Sequence, residues 1–285
     1  DVLLHPRLHG ANGSNGERYP FGHLCGAGVA FKLAWALCKK HCDGPRVTPQ
    51  LREFLLDAVT LAALGTVADV VPLFDENRVF VRHGLHRLKR QPSVGLQALL
   101  RSAKLEGKSC FDSVDVGYSL APRLNAAGRL GTAQQSVELL MTRNAERARE
   151  LAEALEAHNQ ERQQLERQIL AEARRLAEAE DGAAALVLAD PAWHPGLLGI
   201  VASRLVDQFA RPVLMIATPE GQPHGQGSGR SVPGLALHRA LEECTEELLS
   251  HGGHAAAAGF RILPERIADF RVRFCDAVAR QLGDG

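Results

Sequence analysis

Ser250-His251-Gly252-Gly253-His254-Ala255-Ala256-Ala257-Ala258-Gly259-Phe260 is the stretch from which this chain reads outward. Two adjacent glycines, an imidazole and four alanines bury little apolar area, and glycine orders at an entropic cost, so a core role fits poorly. A backbone-exposing loop fits better. Gly252 and Gly253 can take φ > 0 and bring main-chain N–H groups toward an anion, His254 adds a donor, and the alanines let the next element pack close behind. That describes a phosphate cradle. The plainer alternative is a Gly-Gly turn leading into a small-residue strand, and composition alone leaves both open.

The sequence before and after this stretch has the pattern of a small α/β domain. Residues 184–189 (AALVLA) and 211–218 (RPVLMIAT) read as buried strands, with a helix over 196–209 between them. Trp193-His194-Pro195-Gly196 places a His and a Pro-initiated helix in one loop, either an anion site or a structural Trp-His loop. Gly227-Ser228-Gly229-Arg230-Ser231 exposes backbone, two hydroxyls and a guanidinium fork, as a terminal-phosphate pocket needs; a plain GSG turn with an exposed Arg is the alternative. A helix is expected from about Leu235 to Ser250, a strand over 259–263 and a last helix from Pro264 to near Leu282.

Residues 144–180 are dense in Ala, Glu, Arg, Gln and Leu and lack Gly and Pro until the Asp181-Gly182 break, which predicts one long, largely exposed helix. Ahead of it the pattern gives helices over 26–41 and 49–64, the second after an Asp43-Gly44-Pro45 turn. Residues 1–21, rich in Gly, Asn, Pro and His, read as a surface loop; His5, His9 and His23 invite a metal reading, but their irregular spacing favours solvated loop histidines over it. In Leu64-Gly65-Thr66-Val67-Ala68-Asp69-Val70-Val71-Pro72-Leu73 a single carboxylate sits among apolar or small residues. Buried, it would need a partner: either a metal, or a cap or hydrogen-bonded structural role. Residues 78–108 hold eight basic side chains (Arg78, Arg82, Arg87, Lys89, Arg90, Arg101, Lys104, Lys108) against Glu106, which suits a face tracking a nucleic-acid backbone or an ordinary solvated helix. In Val116–Gly131 (VGYSLAPRLNAAGRLG), Pro122 and the glycines imply a turn that brings Arg123 and Arg129 together as phosphate-binding forks.

Four of these segments resemble one known superfamily. GGHAAAAG is similar to the signature of the DHH-associated domain of DHH phosphoesterases, and WHPGLLGIVASRL resembles the start of that domain. GTVADVVPL and LAPRLNAAGR resemble motifs of the RecJ-like exonucleases within it, and the similarity runs over nearly the whole chain. The resemblance implies an α/β fold: a partial DHH-type α/β domain (1–143), a connecting helix (144–180) and a smaller α/β DHH-associated domain (181–285). It also implies metal-dependent 5′-to-3′ hydrolysis of single-stranded DNA in recombination and repair, with Mn²⁺ or Mg²⁺ as cofactor in a centre straddling two lobes. Asp69 is then the metal-ligating catalytic carboxylate. Arg123, Arg129, Ser228, Arg230, Gly252, Gly253 and His254 are the substrate-binding residues, with the choice between the two arginines of 116–131 open.

Composition narrows the field without deciding it. At 45% hydrophobic and 23% charged residues, the chain is of globular type, and a net charge of zero disfavours a purely electrostatic nucleic-acid binder. Six scattered cysteines without a CxxC argue against a zinc site or a disulfide framework, and with no bilayer-length apolar run or signal-peptide pattern a cytoplasmic location is the default. The chain opens on Asp1 and contains no Asp-His-His string, so it is expected to be the rear part of a longer nuclease and inactive by itself. Two alternatives stand beside this expectation. One is a small-substrate phosphodiesterase of the same superfamily acting on short RNAs or cyclic dinucleotides; the other is a non-catalytic nucleic-acid-binding module.

Overall fold

Alanine, leucine and valine at helical spacing give the first half of the chain its helices, and the computed structural model places them as follows. It describes residues 3–7, 19–42, 46–130, 133–180 and 182–283, which divide into one unit over 1–159 and another over 160–285. The Asp43-Gly44-Pro45 turn and most of the 1–21 loop lie outside the described residues.

The first unit holds α1 (Gly26–His41), α2 (Pro49–Ala68), α3 (Asp75–Arg90), α4 (Val94–Ser102), the single turn α5 (Ser113–Asp115), α6 (Ala121–Leu130), α7 (Gln134–Met141) and the first half of α8 (Ala145–Ala179). Its described residues form no strand. Thr48 and Ser93 cap α2 and α4 by accepting backbone N–H groups, and Asn144 accepts two to start α8. Helix α2 runs to Ala68 rather than ending near Leu64. Gly65, which looks like a terminator in the sequence, is a contact point instead: a Cβ there would lie 2.6 Å from the Cβ of Ala27 on α1. Gly84 does the same for α2 and α3, where an added Cβ would meet Ala63 at 2.3 Å. The core is built from Leu88, Leu99, Leu120, Leu139 and Leu155, with a satellite in which Phe31 and Phe80 meet edge to face at 5.1 Å.

The second unit is built on a five-stranded sheet of order β1 (Leu186–Asp190), β2 (Val213–Ala217), β3 (Gly225–Arg230), β5 (Ala257–Ile262), β4 (Leu248–Gly253). β1 and β2 are parallel and joined through α9 (Leu198–Phe209); the remaining pairs are antiparallel. One face packs on α10 (Leu237–Glu242) and α11 (Ile267–Gly283) through Val187, Leu214, Ile216, Phe260, Ile262, Phe270 and Phe274. The other receives α9 on its β2–β3 half. In α8, Glu172 accepts the Trp193 indole N–H at 3.1 Å, and the buried carboxylate of Glu166 pairs with Arg162 and Arg204.

Two expectations are overturned here. The helix predicted from Leu235 to Ser250 is only the six-residue α10, followed by a 3₁₀ turn at Thr245–Glu247 and then by strand β4. The 248–253 backbone pairs along β5, and that long-range ladder outweighs a local helical preference already weakened by the two glycines at its end. The segment 227–231 is not a turn, since Gly227 to Arg230 lie in β3 between two partner strands. Its glycines occupy the core face, where a Cβ on Gly227 would lie 2.1 Å from the Phe260 ring and one on Gly229 would lie 2.3 Å from Leu214.

Candidate functional site

Strand β3 alternates without exception: Gly225, Gly227 and Gly229 toward the helices α10 and α11, Gln226, Ser228 and Arg230 toward the opposite face. On that opposite face Arg230 donates through Nη1 to Ser228 Oγ at 3.4 Å and to the Gly229 carbonyl at 2.8 Å. The first turn of α9 comes down onto the same pair. A Cβ on Gly199 would stand 2.6 Å from Arg230 Nη2 and 3.1 Å from Ser228 Oγ, so only glycine admits this approach with both side chains where they are.

Cross-strand register carries the face onward. Ser228 pairs with Gly259, and Gly259 with Gly252, so the three lie side by side on one face. Both glycines are exposed; a Cβ on Gly252 would meet nothing within 4 Å, and one on Gly259 only the Gly227 carbonyl at 3.6 Å. Packing does not require either glycine. Their effect is a floor of bare backbone beside a hydroxyl and a guanidinium, the arrangement an anionic ligand needs for close approach.

Gly253 is different, because its φ of +150° and a Cβ contact of 2.5 Å with the Ala257 carbonyl make glycine obligatory there. The expected loop shrinks to the tip 254–256 of the β4–β5 hairpin. His254 closes it by donating its N–H to the Ala257 carbonyl at 2.8 Å, while Ala255 and Ala256 accept from Leu237 and Ser231, latching the tip to β3 and α10. The His254 amide is thus already used, and its exposed imidazole is the group that remains to meet a ligand. His194 accepts from the Gly196 N–H through Nδ1, which makes it a cap for the turn leading into α9.

The first unit holds the other candidates. Asp69 is exposed, not buried, and takes the C-terminal cap position of α2 with its N–H bonded to the Gly65 carbonyl. The capping is done by its backbone and not by its carboxylate. Among the described residues its carboxylate has no hydrogen-bond or ion-pair partner, and it stands where the helix carbonyls already concentrate negative charge. Val70 follows with φ of +56° and is 86% exposed, an unfavourable backbone and an unfavourable exposure for a β-branched residue. A carboxylate held in that position favours a cation, as a hard divalent ion would supply. Among the described residues no group of three or more His, Cys, Asp or Glu gathers for a metal, so Asp69 fits such an ion as one ligand of a set.

Arg123 and Arg129 are not brought together by a turn. Residues 113–130 form one continuous helix whose ladder widens into a π-turn at Val116–Leu120, which lets Pro122 enter at the start of α6 without breaking it. The six-residue step along the helix then sets the two positions about 120° apart around its axis. Arg123 is half-buried, paired with Glu156 at 2.5 Å and donating to the Ser119 carbonyl at 2.7 Å. Arg129 lies on the exposed side. Of the amino-terminal histidines, His5 accepts from the Arg7 amide and His23 meets the Phe21 and Phe74 rings at tilted and edge-on angles, while His9 lies outside the described residues.

Gly199 is the residue that reading the sequence missed. A glycine inside the first turn of a strongly apolar helix costs helix propensity, and that unexplained cost was the available signal.

Known proteins share much of this chain. Residues 181–280 match the DHHA1 domain. A single-stranded-DNA-specific exonuclease RecJ of Bacillus subtilis is 40% identical over 275 residues, which is 95% of this chain and 32% of that protein. The crystal structure of RecJ from Thermus thermophilus in complex with Mg²⁺ superposes with a TM-score of 0.78 at 39% identity, covering 90% of this chain and 38% of that one. A crystal structure of exonuclease RecJ bound to manganese gives 0.76 at 37% identity, covering 97% and 64%. The chain spans between 32% and 50% of the length of the curated relatives it matches.

Proposed function

We propose that this chain, RecJ-like over most of its length and carrying a DHHA1 domain at 181–280, supplies the phosphate-gripping and part of the cation-holding machinery of a nuclease that degrades single-stranded DNA from the 5′ end in recombination and repair. The observation that carries this reading is the glycine-floored face of the second unit, where Ser228, Arg230, Gly252 and Gly259 adjoin the first turn of α9. A terminal phosphate fits it because the guanidinium offers a fork, the hydroxyl a further donor, and the absent Cβ atoms let the anion reach the sheet. His254 at the hairpin tip donates from its imidazole, and Gly253 holds the tip in place. In the first unit Asp69 ligates Mn²⁺ or Mg²⁺ together with other ligands, and Arg123 and Arg129 are the candidate phosphate contacts, Arg123 half-buried beside Glu156 and Arg129 on the exposed side of α6. The divalent ion, when bound, supplies a hydroxide nucleophile and neutralises charge on the leaving oxygen.

The experiment compares binding of a 5′-phosphorylated and a 5′-hydroxyl single strand by fluorescence anisotropy. The wild type should prefer the phosphate, and Arg230→Ala should lose roughly 10- to 100-fold of that preference, the range of one or two charge-assisted hydrogen bonds. An unchanged preference in Arg230→Ala would remove the basis of the reading.

A further inference from the structure

The basic segment between Arg78 and Lys108 is resolved by the fold into two unlike groups. Arg87 is tied to Asp57 and Glu53, Arg101 to Glu106, and Lys108 to Asp115, so these three serve the architecture. Arg78, Arg82 and Lys89 are exposed and have no charged partner among the described residues. Their positions on α3, with His86 between them, fall within about 80° of one another around the helix and extend about 16 Å along it. They form one straight line of cations.

That line borders a groove of about 490 Å³ whose walls include Arg82, His86, Lys89, Ser109 and Phe111. Phe111 is half-buried, its ring partly held in the leucine core and its remaining surface turned to the groove. Cations about 6 Å and about 10 Å apart along the helix, with an imidazole between the last two, beside an aromatic surface and a hydroxyl suit a single polynucleotide strand: charge for its phosphates and an apolar surface for a base. A duplex presents two phosphate rails across a groove about 12 Å wide, and a single line of side chains one helix across answers only one of them.

We propose that the α3 face, Arg78, Arg82, His86 and Lys89 with Phe111, is a second contact surface for single-stranded nucleic acid, binding the phosphate backbone irrespective of its 5′ end. It rests on the single-strand reading given above, but makes a separate prediction. Neutralising three phosphate-contacting cations lowers the slope of log affinity against log salt by about 0.7 each for a single strand.

The test is a triple substitution, Arg78→Gln with Arg82→Gln and Lys89→Gln, on exposed helical positions where glutamine keeps helix propensity. Its control removes Lys39, Lys40 and Arg175, which changes net charge equally elsewhere. Binding of a 20-nucleotide thymidine oligomer with 5′-hydroxyl or 5′-phosphate ends, and of a 20-base-pair duplex, is measured over a salt series. The α3 variant should lose about 2 from the salt slope on both single strands and leave their ratio to one another unchanged, while the control stays within half a unit of wild type. An unchanged slope, an equal loss in the control, or an equal or larger loss on the duplex would each overturn the assignment. Absence of any 5′-phosphate preference in the wild type, with the slope change intact, would instead remove only the terminal-phosphate reading.

Discussion

Replacing Gly199 by alanine separates binding from folding more cleanly than removing any donor. The new methyl would sit 2.6 Å from Arg230 Nη2, inside van der Waals contact, and 3.1 Å from Ser228 Oγ. Nη2 is the far end of a flexible side chain, so the guanidinium swings aside rather than the backbone, at about 0.5–1.5 kcal/mol of rotamer strain. Against this, alanine in place of glycine within α9 contributes up to about 1 kcal/mol of helix propensity. The two nearly cancel, and the midpoint of chemical denaturation should stay close to wild type. Anion binding should not, because displacing the fork removes one or two charge-assisted hydrogen bonds at about 1.5–3 kcal/mol, a loss of roughly 10- to 150-fold in affinity for a 5′-phosphorylated strand. Denaturation in urea and anisotropy titration on the same preparation read both quantities. A Gly199→Ala protein that keeps wild-type stability and wild-type phosphate affinity would refute the idea that the α9 approach positions Arg230 for an anion.

Other outcomes follow from the same geometry. Gly252→Ala should fold normally, since its Cβ meets nothing within 4 Å, and weaken phosphate binding, whereas Gly253→Ala should lose about 1–3 kcal/mol of stability because its Cβ strikes the Ala257 carbonyl and Ala258 Cα at 2.5 Å; thermal denaturation distinguishes the two. Asp69→Asn should leave the fold intact or stabilise it by about 0.3–1 kcal/mol by removing negative charge from the end of α2, and should reduce Mn²⁺ binding read by calorimetric titration. Burial opposes ionisation of Glu76, but the hydrogen bonds from Lys32 and Tyr19 outweigh it and hold its carboxyl below the ordinary value of 4.5. The stabilisation is therefore present above that value and is lost as pH falls through the lower, folded one. Denaturation curves of wild type and Glu76→Gln should approach each other below about pH 4.5 and differ at neutral pH; parallel curves across that window would contradict the linkage.

Much of this architecture is set by short-range chemistry that a sequence displays openly. The limits of α1, the Pro49 start of α2 and the long α8 with Asn144 ahead of it follow from helical spacing, caps and the absence of breakers. β2 follows because a strand buried along its whole length must be apolar throughout, and β1 is apolar from Leu186 to Ala189 before it ends on Asp190. The chemistry of the phosphate-binding candidates is equally local, since Ser228, Arg230 and the glycine pair are named by residue type alone.

What the tertiary structure decided is the use to which each glycine and each charge is put. Gly65 is a helix contact rather than an end, the β3 glycines make room for Phe260, Leu214 and Leu237 rather than a turn, and the second half of a predicted helix becomes β4 because β5 offers it a ladder. Arg123 is taken by Glu156, and Asp69 is left exposed at a helix end. None of these outcomes is visible in a window of ten residues, because each depends on a partner distant in sequence, and a missing side chain reveals its purpose only when the neighbour that fills the space is in view.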